Sequence, residues 1–505
     1  MPTFFRLSEA GHDGFRKCLR SQDESFFVLS LASSAGDSYA AHNSMNKSPR
    51  FKLFLMMVLQ FFIWGAWLPL IFGYLPSLGF TPAQQAWILN AFPIAAVVGM
   101  FFSNQFADRN FAAERFLSFS HVVGGLSILG LAFVKSTPEA ISFVGQNPGA
   151  TWNPHAPFWP FFGLMMIHCL LYVPTISITN SIAFANMKDA QNEFGIVRMG
   201  GTIGWILAAW PFTFILVDWD KVHAANAQGF SGWLGTVLSS GLTGDALKAA
   251  TTWTFIVAGI ASLLLAGFSF LLPHTPPKKA VEGAGEKLAW LEAMKLLKHP
   301  FMLVLWIVTL VDSFVHNCYF NWTGSFLGAA KEAGGVGIPG NWIMPVMSVG
   351  QIAEILTMFI LGVTLKKLGW RTTMIFGILG HAARFAVYSF LPEHKELIIL
   401  VQVLHGICYA FFFATVYIFV DAYFPKDARA SAQGLFNVMI LGIGALLANS
   451  ICPYISQKLF THNGVTDFKG LFLVPMISAV AAAVALAMFF HPPKTQAGEA
   501  SAPAH

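Results

Sequence analysis

About twelve apolar segments, each close to twenty residues long, dominate this chain and restrict what it can fold into. A helix needs about 20 mostly apolar residues to cross roughly 30 Å of hydrocarbon. Only 11% of the residues are charged, whereas a soluble domain carries about 25%. The alternating pattern of a membrane β-barrel is absent, so the segments predict helices in an all-α membrane protein. They cover approximately 52–74, 85–106, 116–134, 158–184, 197–217, 251–272, 300–327, 341–365, 372–391, 397–420, 430–452 and 470–490.

Lysines and arginines are concentrated in alternate connections between these segments. Arg109 and Arg115 lie between the second and third segments, and Lys366, Lys367 and Arg371 lie between the eighth and ninth. Because positively charged loops stay in the cytoplasm, both termini are predicted to be cytoplasmic, in an inner-membrane protein with an even number of spans. The net charge of +5 is therefore a signal of topology and does not indicate nucleic-acid binding.

The connection 273–299 is the longest basic loop and divides the chain into two halves of six spans, 52–272 and 300–490. Each half also has a glycine followed by a basic turn between its second and third spans, at Gly99 and at Gly362. Two six-helix halves of this kind resemble the major facilitator superfamily, whose members bind substrate near the membrane midplane between the halves.

Both ends of the chain lie outside this scheme. Residues 1–51 are predicted to be a cytoplasmic extension, since 1–44 lack the apolar core and cleavage site of a signal peptide. Met45 begins a short basic lead into the first span, so we expect it to be the initiator, with disorder of 1–44 as the alternative. The tail 491–505 is rich in proline, alanine and small polar residues and is predicted to be disordered.

Glu354 is the only charged residue in the apolar stretch Ile343–Leu365. A carboxylate at the centre of a membrane helix costs roughly 2.5–3.5 kcal/mol on insertion scales, and such residues normally face a partner or a wet cavity. Gln351 precedes it by three residues and shares its helix face. The pair is therefore a candidate functional site.

The fifth span begins with a stripe formed by Arg198, Thr202 and Trp205, which recur at helical spacing. Glycines between them allow close helix approach. One interpretation is that Arg198 faces a cavity. The other is that its side chain anchors the cytoplasmic end of the helix by reaching the membrane interface.

The seventh span contains Asp312, His316, Asn317 and Asn321, which form two adjacent polar rows on an otherwise aromatic helix. Polar groups in a span can simply hydrogen-bond across helices, at about 0.6 kcal/mol each. So many of them within ten residues favour a wet cavity.

Other polar residues have simpler interpretations. His381 and Arg384 share a face of the ninth span and His405 begins the tenth, and such histidines are more often packing or interhelical residues than proton carriers. Asp421 lies at the cytoplasmic end of the tenth span with Lys426 and Arg429 nearby, and it is predicted to form an ion pair there. Four of the five cysteines lie in spans without any zinc spacing, so they are interpreted as small apolar residues.

Several motifs resemble the nucleoside:H⁺ symporters, the bacterial nucleoside permease G type within the major facilitator superfamily. They are Gln60-Phe with Trp64-Gly-Ala-Trp67, Tyr172-Val-Pro-Thr with Asn180-Ser-Ile, Arg198-Met-Gly-Gly-Thr-Ile-Gly-Trp, Leu272-Pro-His-Thr-Pro, Gln351-Ile-Ala-Glu354, Arg384-Phe-Ala and Arg429-Ala-Ser-Ala-Gln-Gly434.

The resemblance implies a substrate site made by residues at matching positions. They are Arg198, Thr202, Trp205, Asn317, Asn321, Gln351, Glu354, His405 and Tyr409. The family carries an aspartate where this chain has Ala410, which implies altered substrate contacts.

The predicted function is proton-coupled uptake of nucleosides by alternating access, performed by a monomer in the lipid bilayer. The proton is the coupling ion and no cofactor or metal is expected. Glu354 is the main proton-coupling candidate, with Asp312 and His316 as further candidates. The alternatives are a symporter of a sugar or another small polar solute and a sensor that does not transport. An enzyme is disfavoured, because no metal-ligand cluster or nucleophile–base pair is found.

Overall fold

A computed structural model of the chain describes residues 49–99, 111–187, 190–277, 296–423 and 435–492. Every predicted span contains helix within these ranges, and eight of the described helices are long and apolar enough to cross a membrane by length and composition. The structure does not describe residues 1–48, most of the central loop, the tail from 493 onwards, or the side chains of Asp421, Lys426 and Arg429. The predictions for the N-terminal extension, the C-terminal tail and the Asp421 ion pair therefore concern residues outside the described part of the chain.

The first half consists of six main helices, which we label α1 to α6. They are α1 (Pro49–Ser77), α2 (Pro82–Leu89, with further helix over 91–99), α3 (Ala113–Leu131), α4 (Phe158–Asn186), α5 (Ala190–Ala209) and α6 (Thr252–Phe268, followed by the 3₁₀ turn Ser269–Leu271). Shorter helices connect them at Pro138–Gln146, Phe212–Ile215, Trp219–Ala224, Gly229–Ser239 and Gly244–Ala250. The predicted fifth span was too long at its end: α5 stops before Pro211, because proline lacks an amide donor and disfavours helix in the preceding residue.

The second half contains six more helical regions. Helix α7 is Pro300–Gly328, and the continuous stretch Gly340–Phe390 contains α8 (340–368) and α9 (370–390). Helix α10 combines Lys395–Leu400, Val403–Cys408, the π-helical turn Tyr409–Ala414 and Thr415–Tyr423. Helix α11 combines 435–437, the π-helical turn Val438–Ile443, Gly444–Tyr454 and the π-helical turn Ile455–Leu459, and α12 is Phe468–Phe489. Two 3₁₀ turns (Leu296–Lys298 and Lys331–Ala333) and an antiparallel hairpin of β1 (Thr461–His462) and β2 (Val465–Thr466) complete the described elements.

Gly369 separates α8 from α9, as the predicted boundary between 365 and 372 requires. Its backbone has φ 70° and ψ 173°, whereas the residues on both sides are helical. A positive φ costs glycine little, so the chain reverses direction here without a longer loop.

A buried polar cluster joins four helices of the first half. The two ring nitrogens of His121 on α3 lie 2.9 Å from Ser262 Oγ on α6 and 3.0 Å from Gln60 Oε1 on α1. The Gln60 amide also donates to Thr175 Oγ1 on α4 over 2.9 Å. Because unpaired polar groups are costly away from water, this cluster fixes the four helices in one mutual register.

The two halves are in direct contact at the end of the bundle where α2 and α8 begin. Asn90 on α2 donates to Ser450 Oγ on α11 over 2.8 Å. Trp342 on α8 donates its indole N–H over 2.8 Å to the carbonyl of Leu238, which lies between α5 and α6. By the predicted topology this is the outer side, so the halves meet there and leave a cavity deeper between them.

Candidate substrate site between the two halves

A cavity of about 300 Å³ lies between the halves and is lined by α1, α2, α4 and α5 of the first and by α7, α8, α10 and α11 of the second. Small-molecule sites are typically about 300–1,000 Å³ and combine apolar walls with a few polar groups. Most of the predicted site residues line this cavity: Arg198, Thr202, Trp205, His316, Asn317, Gln351, Glu354, His405 and Tyr409.

The α5 stripe faces this cavity. Its three members, Arg198, Thr202 and Trp205, all contribute to the lining. The Arg198 guanidinium lies 4.3 Å from the centroid of the Phe61 ring on α1, a cation–π arrangement. Arg198 therefore lies against the cavity wall, which favours the cavity-facing interpretation over the interfacial anchor.

Aromatic rings form much of the remaining wall. Trp64 stacks on Phe92 with ring centroids 4.6 Å apart and meets Trp205 edge-to-face at 5.0 Å. Phe72 and Phe320 line both this cavity and a second one of about 810 Å³ towards the predicted outer side. Phe72 and Phe320 therefore lie at the boundary between the two cavities. The faces of the aromatic rings that line the central cavity are suited to stacking against a planar ligand.

Glu354 and Gln351 approach the cavity from α8. Glu354 is half-buried, and no cation among the described residues lies within 4.0 Å of its carboxylate. Arg198 lines the same cavity from α5, so the two opposite charges face a shared space without a direct ion pair. The Oε1 atom of Gln351 is enclosed and has no donor in the described part of the chain.

The close packing of α10 against α8 fixes the position of Glu354. A Cβ at Gly406 on α10 would collide with the backbone nitrogen of Glu354 and lie 2.5 Å from the carbonyl carbon of Ala353. Only glycine allows this approach, because the obstructing atoms belong to the backbone and cannot turn aside.

We therefore expect Gly406→Ala to destabilise the protein by about 1–3 kcal/mol, the usual cost of overpacking. Thermal unfolding of the purified protein in detergent would measure this change. Gly362→Ala on α8 is the matched control, since a Cβ there meets nothing within 4 Å. Equal stability of the two variants would contradict the proposed packing.

The polar residues of α7 are divided between the cavity and the protein interior. His316 and Asn317 line the cavity, and Asn317 Nδ2 also donates to the carbonyl of Ser313 over 2.8 Å. Asn321 is buried outside the lining, where its Nδ2 donates to Asn449 Oδ1 on α11 over 3.2 Å. Asp312 is fully buried and is also absent from the lining.

One face of α10 contributes to the wall at every fourth residue, namely His405, Tyr409, Phe413 and Tyr417. The π-helical turn Tyr409–Ala414 lies within this face, and such turns are often found at functional sites. Ala410 is fully buried and does not line the cavity. The methyl group at this position therefore belongs to the interior of the second half.

Arg384 and His381 of α9 are part of a cluster that the sequence did not identify as a unit. Arg384 is fully buried, and its guanidinium contacts His381 as well as His405 of the cavity wall. Helical spacing signalled the first contact, but nothing in the sequence indicated the second, which depends on how α9 packs against α10. The described residues contain no group of three histidine, cysteine or acidic side chains able to hold a metal ion.

A family model described as Nucleoside H+ symporter matches residues 46–145, 152–242 and 229–495, which include every helix that lines the cavity. The chain belongs to this family. Its members are transporters, and the chain is accordingly not an enzyme.

Among curated relatives, the chain is 29% identical over 449 residues to "Putative nucleoside transporter YegT" of Escherichia coli (strain K12), covering 87% of the chain and 93% of that protein. It is 25% identical over 454 residues to nucleoside permease NupG of the same organism, covering 87% and 96%. The crystal structure of nucleoside transporter NupG superposes with a TM-score of 0.67 at 23% identity, covering 88% of this chain and 99% of that one. This likeness confirms the predicted major facilitator fold.

Proposed function

We propose that this protein takes up nucleosides across the inner membrane, coupled to protons, as a monomer with both termini in the cytoplasm. The observation that supports this most is the arrangement of the central cavity. Arg198, Thr202 and Trp205 line it from one half, and Gln351 and Glu354 line it from the other. A ligand bound there contacts both halves, as alternating access requires.

The lining offers the contacts that a nucleoside needs. The ring faces of Trp64 and Trp205 suit a planar base. The amides of Asn317 and Gln351 supply both donors and acceptors for ribose hydroxyls and base edges. Arg198 adds charge-assisted donors for oxygen atoms of the ligand.

Glu354 supplies a group that can bind and release the coupling proton. When the cavity is open to water the carboxylate is hydrated, and closure around the ligand removes part of that hydration. Loss of water disfavours the charged form, so closure favours proton uptake and opening favours its release. The proton would in this way travel with the substrate.

Uptake of labelled uridine and adenosine tests the proposal, in cells that lack their own nucleoside carriers. We expect accumulation above the external concentration, which collapses to equilibration when a protonophore is added. Replacement of sodium by choline should leave uptake unchanged.

The competing functions give different results in the same assay. Competition by sugars but not by unlabelled nucleosides would indicate a sugar symporter, and binding without flux would indicate a sensor. Accumulation that resists the protonophore but requires sodium would contradict proton coupling.

A further inference from the structure

Helix α2 has a break in its backbone hydrogen bonding beside the central cavity. In a regular helix the carbonyl of Leu89 accepts the N–H of the residue four positions later, which here is Pro93. Proline has no N–H, so this carbonyl lacks its helical donor. The helix Pro82–Leu89 accordingly ends at this point, and helix resumes over 91–99. A carbonyl without a donor is costly inside a membrane, so the donor must come from another part of the chain.

The second half supplies this donor. Asn449 on α11 donates its Nδ2 over 3.1 Å to the carbonyl of Leu89. The Oδ1 of Asn449 accepts from Asn321 Nδ2 on α7 over 3.2 Å. One amide side chain therefore joins α2 of the first half to α7 and α11 of the second. Both asparagines are buried, so little water competes for these two hydrogen bonds.

Asn449 is also part of the wall of the central cavity, although the sequence analysis did not single it out. Leu89 and Pro93 line the same cavity from the first half. A ligand in this cavity therefore lies against the hydrogen bond that links the two halves.

The same interface continues outside the cavity. Asn90 donates to Ser450 Oγ over 2.8 Å, directly beside the contact between Leu89 and Asn449. Gln457 Nε2 donates to Gln85 Oε1 over 2.8 Å, one turn nearer the predicted outer end of α2. None of these four polar residues lines the cavity. The contact made by Asn449 is thus the part of this interface that reaches the ligand.

The hydrogen bond from Asn449 belongs to the state in which the outer ends of the two halves are together. Alternating access requires these ends to separate when substrate enters from outside. Separation of α2 from α11 breaks the bond and exposes the Leu89 carbonyl to water. An interaction made in one of two states shifts the equilibrium towards that state, so this bond favours closure of the outer side.

Given the proposed nucleoside transport, on which this inference rests, we propose that Asn449 is a positioning residue that latches the outer side of the cavity. It holds the carbonyl of Leu89 while the outer side is closed and releases it when the cavity opens to the outside. Pro93 is the second part of the latch, because it keeps that carbonyl free of a donor within α2.

Two substitutions weaken the latch from opposite halves. Asn449→Ala removes the donor from α11. Pro93→Ala leaves Asn449 in place but supplies an N–H that can bond to the Leu89 carbonyl within α2. Loss of one such hydrogen bond should raise the ratio of outer-open to outer-closed protein by about two- to tenfold.

Electron paramagnetic resonance measures this ratio without a ligand, in full-length protein in lipid nanodiscs. Spin labels at Lys135→Cys and His462→Cys report the distance between the halves, since both positions are exposed on the predicted outer side, one in each half. We expect each latch variant to move population to longer distances. Asn186→Ala is the matched control, because its amide bonds to Thr275 within the first half over 2.9 Å, and it should leave the distances unchanged.

The double variant distinguishes a latch from two separate structural defects. Because both substitutions act on one hydrogen bond, their combined shift should be smaller than the sum of the single shifts, whereas independent defects add. Additive shifts would overturn the latch, as would unchanged distances in Asn449→Ala. If Asn449→Ala does not fold, unchanged distances in Pro93→Ala would overturn it instead.

Transport by Pro93→Ala gives a second readout that general damage would not produce. A larger outer-open population should lower KM for external uridine and raise KM for internal uridine, because each side binds the fraction of protein that is open to it. Equal changes on both sides would contradict the latch. Failure of the wild-type protein to transport any nucleoside would overturn the proposed function, and the distances would still decide the role of Asn449.

Discussion

Glu354→Gln should abolish uphill accumulation of nucleosides while leaving their exchange across the membrane intact. Glutamine keeps the size and hydrogen-bonding capacity of the protonated acid but cannot release a proton. One proton that moves through 100 mV supplies about 2.3 kcal/mol, enough for roughly 50-fold accumulation. Without that contribution, the ratio of internal to external nucleoside should fall to about one.

Transport assays in reconstituted vesicles measure both the accumulation and the exchange of nucleosides. Uphill uptake is followed with an imposed proton gradient, and exchange is followed with labelled uridine outside and unlabelled uridine inside. Glu396→Gln is a suitable control, because Glu396 is an exposed acid near the beginning of α10. Concentrative uptake by the Glu354 variant would exclude Glu354 as the proton site, whereas loss of exchange as well would indicate a role in substrate binding.

The membrane helices could be predicted from the sequence because the length of an apolar segment is a local property of the chain. The helical regions found here follow the apolar segments, and the reversal at Gly369 falls inside the predicted gap between the eighth and ninth spans. The end of α5 was missed because apolar residues continue to Val217, although Pro211 interrupts the helix. The π-helical turns of α10 and α11 carry no hydrophobic signal and were not predicted.

The site was predicted in outline for a related reason. Charge in an apolar span is costly, so Glu354 was recognisable from the sequence, whereas Arg198 at the start of its span left two interpretations open. Both residues line the cavity. The sequence did not show how far along each helix the cavity extends. Asp312 and His316 are one turn apart on the same face of α7, yet only His316 lines the cavity. Spacing gives a face of a helix, but the packing of its neighbours decides where a cavity ends.

The contact between Arg384 and His405 illustrates the same limit. Helical periodicity placed Arg384 beside His381, whereas its second partner is 21 residues away on the next helix. Such a contact depends on the relative rotation of α9 and α10, about which a single sequence contains no information. The consequence was that His405 was predicted to be a site residue through the family resemblance alone.

Asp312→Asn should destabilise the folded protein by about 3–5 kcal/mol, because it leaves the charge of Arg384 buried without its counter-charge. Asp312, His381 and Arg384 are fully buried and form a chain, with 3.7 Å from Asp312 Oδ2 to His381 Nε2 and 3.0 Å from His381 Nδ1 to Arg384 Nη2. Neither carboxylate oxygen has a hydrogen-bond donor among the described residues. The expected effect of the substitution therefore rests on the charge of Asp312 opposite Arg384 and not on a lost hydrogen bond.

The double variant Asp312→Asn with Arg384→Gln tests this explanation, since it removes both charges and should recover most of the lost stability. Unfolding with increasing SDS in mixed micelles measures the stability of the wild-type protein, of the Asp312→Asn variant and of the double variant. Asp245→Asn is the control: Asp245 pairs with Lys248 at 2.9 Å but is 97% exposed, so its loss should have no measurable effect. An Asp312→Asn protein as stable as the wild type would show that Asp312 is neutral in the fold, which would restore it as a candidate for the coupling proton.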